Sequence, residues 1–87
     1  MSTEEGALTM PPVESVLRDV VTSLALAAHA YLEPQVGSPQ DLEAARLSID
    51  VAVFTLERIS PRLSEVERDG LSRLLAELRM IHVRKRG

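Results

Sequence analysis

Three stretches of the chain repeat apolar residues at spacings of three and four, and residues that stop a helix separate them. In the first, Val13, Val16, Val20, Leu24, Ala27 and Tyr31 fall on one stripe, which predicts a helix from about Pro12 to Leu32 with that stripe in the core. Pro12 suits the first turn, where a missing N–H costs nothing, and Glu14 complements the positive end of the helix dipole. Residues 20–32 are apolar almost all round, a pattern that needs cover on several sides. The alanines at 25, 27, 28 and 30 permit close backbone approach.

Pro34, Gly37 and Pro39 mark a connection. Ser38 is a good N-cap, Pro39 fits the first helical position and Asp41 the third, so a second helix is expected over about 39–59. Leu42, Ala45, Ile49, Ala52, Leu56 and Ile59 form its core stripe. Opposite them, Ala44, Leu47, Val51 and Phe54 make a second apolar stripe that a lone three-helix chain leaves in water. These four, with Leu26 and Ala28 of the first helix, are the candidate residues of a subunit interface.

Ser60-Pro61-Arg62-Leu63 breaks the pattern again, and Ser64 with Glu67 makes a capping box for a third helix over about 64–84. Leu71, Leu74, Leu75, Leu78 and Ile81 form its single stripe. Gly70 costs about 1 kcal/mol relative to alanine, which points either to tolerance or to a close crossing by another helix. Residues 1–11 are expected to be a flexible arm, 12–84 one helical domain, and 85–87 a basic tail. The fold class is all-α: a three-helix antiparallel bundle, or a helical hairpin plus a third helix, assembled as a homo-oligomer.

Composition narrows the function. A chain of 87 residues builds one core and buries only about 60 to 65 per cent of its unfolded surface, so association is the natural reinforcement. There is no cysteine, which excludes disulfides, thiolate metal sites and thiol nucleophiles. A net charge of −3 with one tyrosine, one phenylalanine and no tryptophan disfavours nucleic-acid binding. The first residues lack the basic and apolar segments of a secretory signal, and the apolar run 24–32 falls short of the roughly 20 residues that span a membrane. The expected location is the cytoplasm, with no membrane partner.

Several short segments follow one another along residues 14–83. They are Ser23-Leu24-Ala25, Leu32 and Pro34, then Asp41-Leu42, Ala45-Arg46, Ile49-Asp50 and Leu56-Glu57, then Leu63-Ser64, Glu67, Leu75 and Leu78-Arg79. In order and spacing they resemble a family of small bacterial proteins described as domain of unknown function 1844. The chain departs from that pattern at Glu33, where glycine usually follows leucine, and at Pro61-Arg62, where a glycine-asparagine pair commonly precedes the cap. The resemblance implies a helical fold and a bacterial origin, and it transfers no catalytic residue.

Candidate chemistry is sparse. Asp50 and Arg79 lie at the margins of their core stripes, and in an antiparallel pair of helices they sit about 7 Å apart along the axis, within an arginine's span. The alternative is a local pair between Asp50 and Arg46 one turn earlier. His29 reads as a surface or interface residue, and His82 as a helix-end residue whose charged form suits the dipole. Two histidines do not make a metal site, and no nucleophile elbow, phosphate loop, dinucleotide fingerprint or zinc-protease motif occurs. Arg84-Lys85-Arg86 is short for an RNA or acidic-protein site and reads as a solvated helix end.

The expectation is a non-catalytic, self-associating helical module with a scaffolding or interaction role, without cofactor or metal. The alternative is an accessory binding subunit of a larger bacterial assembly. An enzyme would need a pocket shared between subunits and lined by Asp50, Arg46, His29 or Arg79.

Overall fold

The computed structural model describes residues 9–87 and contains three α-helices, one 3₁₀ turn and, among the described residues, no strand. Helix α1 spans Val13–Leu32, α2 spans Leu42–Ile59, the 3₁₀ turn spans Ser60–Arg62 and α3 spans Glu65–Lys85. Residues 1–8 of the expected arm lie outside the described residues; residues 9–11 are exposed and form no regular element.

Helices α1 and α2 form an antiparallel hairpin with the most extensive contact of any pair, and α3 packs against both. Small residues explain the intimacy of the hairpin. Ala25 and Ala28 of α1 and Ala45 and Ala52 of α2 are all buried, so the two backbones meet across a thin seam. Val21, Leu32, Ile49, Leu56 and Ile59 fill the space beside it. Helix α3 contributes Leu75 and Leu78 as its buried apolar residues, with Leu71 and Ile81 half-buried at the edges. Ser48 is buried as well, because its hydroxyl donates to the Ala44 carbonyl at 2.9 Å and needs no other partner.

The core stripe of α2 is the one its spacing predicts, with Leu42 half-buried at the end. That of α1 is different, although Leu24 of the expected stripe does pack against the core. Val13, Val20 and Tyr31 are 48, 38 and 39 % exposed, whereas Val21, Ala25, Ala28 and Leu32 are buried and Leu17 and Leu24 packed beside them. The buried stripe is rotated by about 90 degrees from the expected one. A helix that is apolar all round offers two stripes, and the one with alanines wins because it admits the closest approach of α2. This also corrects the placing of Ala28 at a subunit interface: with no exposed surface in the single chain, it belongs to the chain's own core.

Helix α2 starts at Leu42, three residues later than expected, and Asp41 is its N-cap, accepting from the Ala44 N–H at 2.9 Å. Ser38 and Pro39 are held in the connection instead. The Asp41 N–H donates to the Tyr31 carbonyl at 3.2 Å and the Gln40 side chain to the Leu32 carbonyl at 2.9 Å, which ties residues 40–41 to the end of α1. Gly37 adopts a φ of 93° in this connection, a left-handed conformation that suits glycine.

Ser64 caps α3 reciprocally with Glu67, and Arg68 donates to the Ser60 carbonyl at 3.1 Å, closing the turn between α2 and α3. Ion pairs Arg18–Glu67 and Arg62–Glu14 join the first turns of α1 to the start of α3 and to the 3₁₀ turn before it. Both carboxyls sit below the usual glutamate range. For Glu14 the main cause is the bond from its own backbone amide, then the bond from Arg62; for Glu67 it is the bond from the Ser64 amide, then the charge of Arg18. A folded-state value below the unfolded one means that the linked stability is fully present above about 4.5 and is lost as pH falls through the folded value. Urea midpoints are therefore expected to drop on acidification below pH 4.5, and a Glu14→Gln, Glu67→Gln double variant to show a shallower drop. Identical profiles for the two proteins would remove these carboxylates from the account.

Gly70 is not a crossing point. A Cβ built on it meets nothing within 4 Å. Gly70→Ala is accordingly expected to stabilise the protein by about 1 kcal/mol through helix propensity alone, read as a raised urea midpoint at unchanged slope.

Candidate self-association surface

Because α3 covers one side of the hairpin, the other side stays open. At about 100 degrees per residue, α2 turns Ala45, Ile49, Ala52 and Leu56 to the core, Asp50 and Val53 toward α3, and Leu47, Val51 and Phe54 away from both. Leu47 is 65 %, Phe54 58 % and Val51 42 % exposed, and Ala44 is half-buried beside them. The antiparallel pairing sets the neighbours on α1: Tyr31 comes nearly level with Ala44 and Val20 with Phe54, and Ala27 falls between them.

The expected core stripe of α1 and the expected interface stripe of α2 thus adjoin on one face of the hairpin. Within residues 20–31 of α1 and 44–54 of α2, no charged residue falls on this face. Thr55 at its edge turns its hydroxyl back to the Val51 carbonyl at 2.8 Å, and the Arg58 guanidinium lies 5.9 Å from the centroid of the Phe54 ring at the end of the strip. The apolar spacing of α1 alone points Val20, Ala27 and Tyr31 to the core, and the all-round apolarity of residues 20–32 is the signal that part of the helix faces elsewhere. Leu26, 69 % exposed, stands on the back of α1, apart from this face.

The charged candidates gather elsewhere. Arg79 donates to Asp50 at 2.8 Å between helices of one chain, and Arg46 lies 3.8 Å from the other oxygen of the same carboxylate. The two arrangements weighed from the sequence coexist. All three side chains are 43–58 % exposed, so the cluster is a surface network worth little to stability. His29 does not join it: the ring is exposed and lies 3.5 Å from Glu33, which Lys85 approaches at the same distance.

His82 lies in the last turn of α3, as expected of a helix-end residue, but it serves the core. It is buried, completing the stripe Leu71, Leu75, Leu78 at helical spacing, and its Nε2 lies 3.2 Å from the Leu42 carbonyl oxygen. A carbonyl only accepts, so that nitrogen carries the hydrogen. The bond fastens the end of α3 to the start of α2. Among the described residues, no group of three or more histidine, aspartate or glutamate side chains is placed to hold a metal ion, and no helix is long and apolar enough to cross a membrane.

The described chain is therefore an all-α, three-helix fold whose hairpin presents one uncovered apolar face. No protein-family model matches it, and neither does any curated protein or solved structure.

Proposed function

We propose that this protein is a non-catalytic, self-associating helical module of the bacterial cytoplasm with a scaffolding or interaction role, and that it belongs with domain of unknown function 1844. The observation that carries the association is the uninterrupted apolar face formed by Val20, Ala27 and Tyr31 of α1 with Leu47, Val51 and Phe54 of α2. Water against such a face is unfavourable by roughly 25 cal/mol per Å², and a small chain gains most by covering it. A second copy related by a two-fold axis does so with the same residues on both sides, which requires no other complementary protein. The bacterial and family assignments rest on the ordered segments from Ser23 to Arg79.

Light scattering over a concentration series tests the association. The expected result is a mass above that of one chain at micromolar concentration. Val51→Glu is expected to weaken assembly by about tenfold or more while helicity is kept, because it places an unpaired carboxylate in the middle of the apolar contact. A wild-type protein that stays a single chain throughout the series would remove the basis of the proposal.

A further inference from the structure

We propose that the cleft between the first half of α2 and the last turns of α3 is an anion site for a phosphoryl group on a small organic molecule. The cleft has a volume of about 280 Å³ and is lined by Arg46, Arg79, His82, Val83 and Arg86. It lies roughly 120 degrees around α2 from the apolar face, so it is independent of self-association.

Placement follows from the helix period. Arg79, His82 and Val83 of α3 and its C-cap Arg86 are spaced i, i+3, i+4 and i+7 and share one face, which Arg46 of α2 meets from across the cleft. The bond from His82 to the Leu42 carbonyl fixes the two helices against each other at this point. Electrostatics then decide the kind of ligand. All three guanidiniums are permanently charged, and among the described residues Asp50 is the acid that pairs with Arg46 and Arg79, at 3.8 and 2.8 Å, while Arg86 forms no ion pair. The cleft keeps a net positive charge inside a chain whose total is −3.

Forked donors converging on one space match the oxygens of a phosphoryl group, which also carries enough charge to offset the excess. Asp50 occupies part of that role from within the protein, as an internal competitor. Val83, 47 % exposed, gives the cleft one apolar wall, so an organic phosphate fits it better than inorganic phosphate. A nucleic-acid strand does not fit: one cleft with three cations neutralises few phosphates, and the chain's overall charge opposes a polyanion.

The full chain labelled with ¹⁵N is titrated with glycerol 3-phosphate, with inorganic phosphate, and with sodium chloride at matched ionic strength. Saturable shifts centred on Arg46, Arg79, Val83 and Arg86 are expected with glycerol 3-phosphate, at a dissociation constant of roughly millimolar. Inorganic phosphate is expected to bind more weakly. Arg86→Gln, at an exposed helix end where folding is unaffected, is expected to weaken binding about fivefold or more. Asp50→Asn is expected to tighten it about threefold or more, because it releases both guanidiniums; a merely structural ion pair would give no such gain. Arg58→Gln, outside the cleft, should bind as the wild type does. Shifts that chloride reproduces, full binding by Arg86→Gln, or no gain in Asp50→Asn would each overturn the site, and equal binding of the two phosphates would overturn the organic ligand.

Discussion

Alanine at position 49 is expected to lower the stability of the folded chain by about 2–5 kcal/mol. Ile49 is 1 % exposed and sits in the middle of the α2 core stripe, where the hairpin seam and α3 meet. Removing most of its side chain loses the transfer free energy of the buried carbons and leaves a space that helices held by a seam of alanines cannot easily close. A domain of this size holds only roughly 4–12 kcal/mol in total, so the change consumes a large part of it. Urea unfolding monitored by far-ultraviolet circular dichroism reads the loss as a lower midpoint at similar slope. Leu47→Ala, at a position 65 % exposed on the same helix, should alter the stability of the single chain by no more than about 0.5 kcal/mol. Equal losses at the two positions, measured at protein concentrations too low for association, would contradict the orientation of α2.

Leucine in place of Ala28 is expected to be damaging in the opposite sense. Ala28 has no exposed surface and lies in the seam with Ala25, Ala45 and Ala52, where added carbon forces the helices apart or the side chains off their rotamers. Overpacking of this kind costs about 1–3 kcal/mol, and the seam leaves little room for relief. The measurement also separates two roles for the residue. In the core, Ala28→Leu lowers the urea midpoint whatever the protein concentration; at a subunit contact it would change the mass in light scattering and spare the fold. A stable variant of altered mass would return Ala28 to the interface.

The rotation of α1 is where local reading and folded structure part. On α2 the apolar stripe is flanked by Glu43, Arg46, Asp50 and Glu57, so only one orientation buries it without burying charge. On α1 the residues from 20 to 32 carry no such charges, and counting apolar positions cannot choose between the stripe through Val20 and Tyr31 and the one through Val21 and Leu32. The choice depends on how closely α2 can approach, which is a property of the pair. Of the proposed interface, Leu47, Val51 and Phe54 were visible as a second stripe on α2, while Val20, Ala27 and Tyr31 joined them only through the register of the hairpin. Of the arginine cleft, Arg46 and Arg79 were visible as candidate partners of Asp50, while His82, Val83 and Arg86 joined them only through the packing of α3 on α2.

Periodicity and capping chemistry, which act within a few residues, are enough to specify three helices, the buried stripe of α2, and the Ser64–Glu67 start of α3. Contacts between distant segments were needed for the rest. They moved the start of α2 to Asp41, because residues 40–41 bond to the end of α1; they drew His82 inside, because its ring reaches the Leu42 carbonyl; and they left Gly70 facing open space. Local rules report what a segment can become, and packing selects among the faces that those rules leave equal in energy.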